Sequence, residues 1–432
     1  MTLPAYPRYK DSGVHWIGSV PEHWNISRLR NIFLIQKRIA GKLGLDVLSI
    51  TNKGVKVKDI TSGDGQLSND YSKYQLVLKG DFAMNHMDLL TGYVDISAFD
   101  GVTSPDYRVF SLKHPQLDSP RYLLRLLQNA YHQKLFFPFG QGSAHLGRWR
   151  LPTEEFKDFF FPRPSHSEQD IIAAFLDHET AKIDALIREQ ERLIELLQEK
   201  RQAVISHAVT KGLDPDVSMK DSGVGWLGEV PSGWKLGRLK HLLRICGGRD
   251  YKAVESNNPA DYPVIGSGGQ FIYAVDYLYD GESVLLGRKG TIDKPLYVKG
   301  KFWTVDTMFY TEVLPGTSGR YAYYLAMTIP FGLYSTNTAL PSMSQFDLAN
   351  HELPLPPFTE QTEIALLLDE QTAKLDALIW EAKKSIEIMT ERRSALTSAA
   401  VTGKIDVRDW RPPADERAFD EEVRQAGLEA TA

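Results

Sequence analysis

The sequence predicts an α+β protein in which two α/β heads and two long helices form an internal repeat. Residues 167–209 contain no Gly or Pro and are rich in strong helix formers. Shifted by 192 residues, they match a second such segment, and 24 of the 47 positions from Glu168 to Asp214 are identical. A further repeat, KDSGVHWIGSVPEHW at 10–24 and KDSGVGWLGEVPSGW at 220–234, precedes each head. The order of tryptophan motif, head and long helix therefore occurs twice along the chain.

Each long helix carries an apolar stripe that predicts a partner along its length. The stripe follows a seven-residue repeat with steps of three and four, as in a coiled coil. A helix of this length extends about 60 Å at 1.5 Å per residue, too far for one small core. We therefore expect the two copies to pack on each other. The stripe comprises Ile172, Leu176, Ile183, Leu186, Leu193, Leu197 and Val204 in the first copy, and Ile364, Leu368, Leu375, Leu378, Met389 and Leu396 in the second.

The heads read as mixed α/β regions with short strands separated by Gly, Asp and Asn. Unlike the helices, the two heads hardly align, so two equal supports carry two unlike heads. Strands are predicted at 45–50, 74–77, 81–84, 93–96, 107–112, 262–265, 283–287, 296–298, 302–305 and 308–314, and head helices at 120–128 and 320–327. The predicted domains are 1–160 (first head with its motif), 161–214 (first long helix), 215–352 (second head), 353–406 (second long helix) and 407–432 (acidic flexible tail).

The composition is that of an ordinary soluble protein. The chain has 432 residues, 42% of them apolar, and its net charge is −5. No apolar run approaches the ~20 residues that span a bilayer, and the first residues lack the apolar core of a signal peptide. Cys246 is the only cysteine, which excludes an internal disulfide or a cysteine metal cluster. We expect a cytoplasmic protein that does not bind a membrane.

Positive charge is concentrated in the heads. Residues 25–160 carry 18 Lys and Arg against 13 Asp and Glu, and residues 235–352 carry 12 against 11. Because the helices and the tail are acidic, the overall charge conceals this excess. A basic excess in the heads favours a nucleic-acid partner.

Motifs for catalysis and cofactor binding are missing from the sequence. There is no GxxxxGK[ST] phosphate loop, no GxGxxG motif, no HExxH and no histidine spacing that suits a metal. The Asn/Asp-Pro-Pro-aromatic segment of amino-methyltransferases is also missing. We therefore expect no catalytic residue, cofactor or metal on this chain, and recognition remains as its function.

Turns in the heads carry side chains that suit DNA. Lys and Arg bind phosphates or guanine edges, whereas Asn and Gln pair with adenine. Gly-rich turns such as GSGGQ at 266–270 let the backbone approach a duplex. A lysine run is equally an ordinary solvated face, so each candidate has a structural alternative. The DNA-binding candidates are Lys53, Lys56, Asn85, Gln141, Ser143, Arg148, Ser267, Arg288, Lys289 and Asn337.

Two other repeated sets have different expected roles. Trp16, Trp24, Trp226 and Trp234 are predicted to anchor the core, because the repeat preserves their spacing. The repeated polar face of the long helices is either a surface charge network or a contact for partner subunits. The partner-binding candidates are Asp177, Lys182, Asp184, Asp369, Lys374 and Asp376.

The layout resembles the specificity subunit of type I restriction-modification systems. Three duplicated motifs carry this resemblance: WxGxVPxxW at 16–24 and 226–234, the helix opening PxxxEQ at 164–169 and 356–361, and TAK[IL]DALI at 180–187 and 372–379. The ordered pattern covers the whole chain, although the heads show only loose family features.

The resemblance implies that the heads are target recognition domains that read the halves of a bipartite, asymmetric site in double-stranded DNA. It implies that the long helices form an antiparallel coiled coil that spaces the heads. The pseudo-twofold symmetry of the supports lets two modification subunits dock. Those subunits bind S-adenosylmethionine and methylate adenine, and separate restriction subunits use ATP and Mg²⁺.

Two alternatives stay open at the level of the sequence. The first is a coiled-coil adaptor whose heads bind proteins and not DNA. The second is a free-standing nuclease or methyltransferase. DNA binding through phosphates weakens steeply with salt, and this behaviour separates the leading interpretation from the adaptor.

Overall fold

The computed structural model describes residues 4–59, 71–143, 148–334 and 342–412. The chain forms two compact units, one from Met1–Arg188 with Ile386–Ala432 and one from Glu189–Ser385. Each unit contains one head and part of both long helices. Within the described ranges, no helix has the length and apolar character needed to cross a bilayer.

The first half of the chain alternates short strands and helices before the first long helix. The strands are β1 (Tyr9–Asp11), β2 (Ser19–Pro21), β3 (Asn25–Arg28), β4 (Phe33–Gln36), β5 (Leu48–Thr51), β6 (Gly54–Val57), β7 (Gln75–Val77), β8 (Phe82–Met84), β9 (Val94–Ile96), β10 (Gly101–Thr103), β11 (Arg108–Leu112), β12 (Gln141–Ser143), β13 (Arg148–Arg150) and β14 (Phe160–Arg163). The helices are α1 (Leu29–Ile32), α2 (Pro120–His132), α3 (Thr153–Asp158) and the long α4 (His166–Lys211).

The second half repeats this order. Its strands are β15 (Met219–Asp221), β16 (Glu229–Pro231), β17 (Lys235–Arg238), β18 (Leu243–Gly247), β19 (Glu255–Ser256), β20 (Tyr262–Gly266), β21 (Gly269–Ala274), β22 (Tyr279–Gly287), β23 (Leu296–Thr304), β24 (Met308–Val313) and β25 (Glu352–Leu355). Its helices are α5 (Gly319–Ala326), α6 (Gln345–Asn350) and the long α7 (Phe358–Val401).

Each head has its own sheet, and four antiparallel strands follow the same order in both sheets despite the unlike sequences. The first sheet has the order β4-β11-β8-β9, and the second begins β18-β24-β22-β23 before it continues through β20-β21-β19. The strand break expected between 298 and 302 is wrong, because β23 runs through Gly300. That residue has a φ of 98° and pairs with Gly281, which has a φ of 152°. A glycine on each strand therefore allows the ladder to continue where a side chain would be strained.

In the first unit, the start of α4 lies beside the end of α7. The hydroxyl of Tyr122 donates to the carbonyl oxygens of Pro162 and Val401, each at 3.2 Å. Further along α4, the carboxylate of Asp184 lies 2.8 Å from the guanidinium of Arg393. The α7 partner moves backwards as α4 advances, so the two helices are antiparallel within this unit.

The second unit repeats the arrangement with the roles of the helices exchanged. The hydroxyl of Tyr321 donates to the carbonyl oxygens of Val209, at 3.3 Å, and Pro354, at 3.5 Å. The guanidinium of Arg201 lies 2.8 Å from the carboxylate of Asp376. The same contacts therefore orient the helix pair in each unit.

The apolar stripe of the long helices is buried only in part. Its members near the start of each helix, such as Leu176 and Leu368, are fully buried in the head cores. Leu186, Leu193 and Leu378 are 56%, 42% and 49% exposed, so the expectation of continuous burial is wrong for these residues. The coiled coil itself stays a prediction.

The copied tryptophans lie where the repeat predicted them. Trp24 and Trp234 are core residues, 0% and 2% exposed, which confirms their role as anchors. Trp16 and Trp226 are half-buried; Trp16 stacks on Phe159 and Trp226 on His351. The four tryptophans therefore pack inward, whereas most polar residues of the motif remain exposed.

Candidate nucleic-acid interface

The heads present a turn at equivalent places in their sheets. Met84 at the end of β8 pairs with Arg108, and Gly287 at the end of β22 pairs with Met308. Each strand leads into a turn that meets the segment before the last short helix of its head, α3 in the first and α6 in the second. The amide of Leu151 donates to His86, and the amide of Met343 donates to Arg288, both at 2.9 Å. The turns that contain residues 85–86 and 288–289 are therefore equivalent, and in each turn one carbonyl accepts from the segment that follows.

A cleft opens beside each of these turns. In the first head it holds about 390 Å³ and in the second about 480 Å³. The first cleft is lined by Ile35, Gln36, Lys37, Ile39, Gln75, His86, Pro105, Tyr107, Arg108, Val109 and Thr153. The second cleft is lined by Gly247, Arg288, Lys289, Phe309, Tyr334, Ser342, Met343, Ser344, Gln345 and Asp347.

The first cleft has its cation at the floor. Arg108 is 4% exposed, donates from Nη2 to the carbonyl of Leu151 at 3.0 Å and lies over the ring of Phe156. Burial lowers the pKa of Arg108 to about 10, so the guanidinium stays charged at pH 7. Burial first, and then the charges of Arg108 and Arg150, lower the pKa of His86 to about 3. His86 is therefore neutral and offers one N–H donor.

The second cleft carries its cations at the rim. Arg288 and Lys289 are exposed, and Arg288 donates from Nη1 to the carbonyl of Asp306 at 3.3 Å. At the place of Arg108, the second head has Met308, which is fully buried. Equivalent parts of the two sheets thus carry a buried cation in the first head and exposed cations in the second.

The remaining DNA candidates lie on hairpins and turns. Lys53 and Lys56 are exposed on the β5–β6 hairpin, and Gln141 is exposed on β12. Ser143 and Arg148 pair through their backbones on the β12–β13 hairpin. The other positions are as follows: Asn85 is half-buried in the first turn, Ser267 is half-exposed between β20 and β21, and Asn337 lies outside the described residues.

The aspartates proposed for partner binding are engaged within the chain. Asp177 accepts from Arg121 at 2.9 Å and from Arg125 at 2.6 Å, which fixes α2 to α4. Its copy, Asp369, accepts from the hydroxyl of Tyr324 at 2.6 Å and from Arg320. Both aspartates therefore hold a head helix on a long helix.

The other partner-binding candidates lie further along the long helices. Asp184 and Asp376 pair with arginines of the opposite long helix. Lys182 is exposed, and Lys374 pairs with Glu370 at 2.6 Å. The arrangement matches the charge-network alternative, and the role of these six residues in partner binding stays a prediction.

His86 and Arg108 of the first cleft, and Gln345 of the second, are absent from the DNA candidates drawn from the sequence. Arg108 lies between Tyr107 and Val109 in the strand that the sequence predicts at 107–112. The one sequence feature that could have indicated a role for Arg108 is its position as a lone arginine inside an apolar strand. Among the described residues, no cluster of His, Cys, Asp or Glu is placed to hold a metal ion.

The duplicated supports and the two unlike clefts define a two-headed recognition protein with an internal repeat. The model of the type I restriction modification DNA specificity domain matches residues 21–196 and again 231–388, more than half of the chain. The chain therefore belongs to the type I restriction-modification DNA specificity family. This finding confirms the family that the duplicated motifs indicated.

Curated relatives match along nearly the whole chain. The putative type I restriction enzyme MjaX specificity subunit of Methanocaldococcus jannaschii is 24% identical, over 91% of this chain and 96% of the relative. The MjaVIII specificity subunit of the same organism is also 24% identical, over 90% and 95%.

Solved structures share the fold. A chain from a study of complex assembly and conformational transition of the type I R-M system has a TM-score of 0.69 at 13% identity, over 89% of this chain and 99% of that one. The HsdS subunit from Thermoanaerobacter tengcongensis has a TM-score of 0.50 at 14% identity, over 89% and 98%. These likenesses confirm the predicted α+β class with two recognition regions.

Proposed function

We propose that this chain is the DNA-reading subunit of a type I restriction-modification complex and that each head reads one half of an interrupted, asymmetric site. Family membership implies recognition of a DNA sequence. The observation that carries the bipartite reading is the pair of equivalent clefts with unlike side chains. Two identical heads would favour a palindrome, whereas two unlike heads on equal supports favour two different half-sites.

The side chains at the two turns support different base preferences. Asn85 has an amide that can pair with the N6 and N7 positions of adenine, and Arg288 has a guanidinium that can pair with O6 and N7 of guanine. Lys53 and Lys56 supply charge for phosphates, which position a protein without reading sequence. The expected discrimination at each bidentate contact is about 1–3 kcal/mol.

We further propose that the repeated supports dock two modification subunits and that restriction subunits join them. Equivalent ion pairs, Asp184 with Arg393 and Asp376 with Arg201, support a matched surface in both halves. S-adenosylmethionine, ATP and Mg²⁺ then belong to the partner subunits. This chain contributes specificity and no catalytic residue.

DNA protection by the full chain together with its modification subunits tests the proposal. We expect two protected half-sites separated by an unprotected interval, with an affinity that falls steeply as salt rises. Arg288→Gln should relax one half-site, and Asn85→Ala should relax the other. One continuous footprint, or no DNA binding in the complex, would contradict the proposal, and salt-independent capture of a protein would favour the adaptor.

A further inference from the structure

Arg108 differs from other partly buried arginines of the first unit in that it forms no ion pair with a described carboxylate. The guanidinium of Arg163 pairs with Asp118 at 2.7 Å, and that of Arg125 pairs with Asp177 at 2.6 Å. Arg108 is more deeply buried than either, yet no carboxylate among the described residues forms an ion pair with it. It is a buried cation without a counter-charge.

This arrangement costs free energy unless something outside the chain offsets it. An unpaired buried ion carries a desolvation penalty of several kcal/mol. The carbonyl of Leu151, the hydroxyl of Thr153 and the ring of Phe156 compensate in part, but Nη1 of Arg108 has no hydrogen-bond partner within the described structure. Buried charges with perturbed pKa values at the floor of a cleft are typical of binding sites.

The first cleft is suited to a negatively charged group. None of the described residues that line it is acidic, and exposed Lys37 lies on its wall. His86 also lines it, and its Nδ1 is buried with no hydrogen-bond partner among the residues that the structure describes. Thr153, Gln36, Gln75 and Tyr107 contribute further neutral polar groups to its lining. The lining therefore combines two cations with neutral polar groups.

Positive charge continues beyond the cleft. An adjoining cleft of about 490 Å³ shares Lys37 and Thr153 and also presents Arg30, Lys113 and Lys157. Lys157 pairs with Glu154 and Arg30 with Asp158, which offsets part of this charge. Lys37 and Lys113 line this surface as well, so a chain of phosphates can follow it.

We propose that the first cleft binds a backbone phosphate of DNA, with Arg108 as the buried cation, Lys37 at the opening, and His86 and Thr153 as neutral donors. The proposal rests on the proposed function, because the phosphate belongs to the DNA that the head reads. A free phosphate ion has the same chemistry, and the test separates the two sources.

The described part of the second head does not repeat this phosphate site. Met308 replaces Arg108 at the matching position, and Asp347 lines the second cleft. Its cations, Arg288 and Lys289, stand at the rim. The first head therefore binds the DNA backbone through the buried charge of Arg108, whereas the second head contacts DNA through exposed side chains.

Salt-dependent DNA binding by the full chain with its modification subunits tests the phosphate site. Arg108→Met places in the first head the side chain found in the second, and Arg8→Met removes an equal but exposed charge as the control. Losing one phosphate contact should lower the slope of log affinity against log salt by about 0.9. We expect this loss for Arg108→Met on every DNA sequence and an unchanged slope for Arg8→Met.

Three results would overturn the inference. A loss confined to some sequences at an unchanged slope would show that Arg108 contacts a base. No change in affinity would show that Arg108 does not contact DNA. A thermal shift of the wild-type chain by inorganic phosphate, abolished in Arg108→Met while the DNA slope stays constant, would show a site for free anions only.

Folding and function are controlled separately. Arg108→Lys keeps the charge and should retain most of the salt slope. A lowered Tm identifies an Arg108→Met variant that has misfolded. In that case the comparison of the wild type with Arg108→Lys is used in place of Arg108→Met. If Arg108→Met alters the slope but the selected half-sites stay the same, the inference and the proposed function both stand. If the slope does not change while the half-sites remain, only the phosphate site fails.

Discussion

The indole Nε1 of Trp24 donates to the carboxylate of Glu168 at 3.0 Å and ties the tryptophan motif to the first turn of α4. The second half repeats this contact between Trp234 and Glu360 at 2.9 Å. The next residue of α4, Gln169, accepts from the amide of Ser119 at 2.8 Å, just before α2. In each half of the chain, the tryptophan motif therefore contacts the first turn of the long helix and fixes the head to that helix.

Trp24→Phe should destabilise the first unit more than Trp234→Phe destabilises the second. Glu168 is 5% exposed, whereas Glu360 is half-exposed. Removing a donor from a buried carboxylate costs about 1.5–3 kcal/mol, and water can replace the donor at Glu360. Hydrogen exchange in each unit measures the difference. Equal losses in the two units would contradict the predicted role of burial.

Breaking the ion pair between Asp184 and Arg393 should have a small effect. The side chains are 37% and 32% exposed, so the coupling energy should be about 0.5–1 kcal/mol. A double-mutant cycle with Asp184→Asn and Arg393→Gln measures it by chemical denaturation. Arg201→Gln with Asp376→Asn is the matched cycle in the second unit, and a coupling energy of zero in both would remove these pairs from the helix contact.

His351 should make the second unit less stable in acid. Burial lowers the pKa of His351 to about 4, below its ordinary 6.5. The unfolded chain takes up a proton below pH 6.5, whereas the folded chain resists it, so stability is complete above pH 6.5 and falls as the pH drops towards 4. The loss at pH 4 is on the order of 3 kcal/mol.

Denaturation across this pH window checks the contribution of His351. His351→Gln should flatten the pH dependence of the free energy of unfolding between pH 6.5 and 4. Exposed His207 is the control, and His207→Gln should leave the slope as it is in the wild type. A slope that persists in His351→Gln would assign the acid sensitivity to other groups.

Shortening both long helices should narrow the interval between the proposed half-sites. The antiparallel ion pairs require matched deletions, and removing 189–195 and 382–388 keeps the partners in register. Seven residues span about 10 Å, which corresponds to about three base pairs. Sequencing of bound DNA measures the interval, and an unchanged interval would exclude the helices as the spacer.

The supports were predictable because they are local and copied. A long helix needs only its own propensity and stripe, and the duplication exposed its partner. The sequence also showed that Trp24 and Trp234 were core residues, since their spacing survives in the repeat. The exposure of Leu186 was not predictable, because periodicity gives the face of a helix but not how far its partner covers that face.

The clefts were not predictable because they form between residues distant in the chain. Arg108 meets the carbonyl of Leu151 only once β11 pairs with β8. The equivalence of the turns that carry Asn85 and Arg288 rests on matching strand order in two heads that hardly align. Both residues were candidates from the sequence, but the equivalence of their turns depends on the sheets.

Exchange of the first head tests most directly whether each head reads its own half-site. Residues 25–160 would be replaced by the corresponding head of another family member, and the chimera with its modification subunits would select from random DNA. We expect one half-site to change while the other half-site and the interval stay constant. Changes in both halves, or in neither, would contradict independent reading by the two heads.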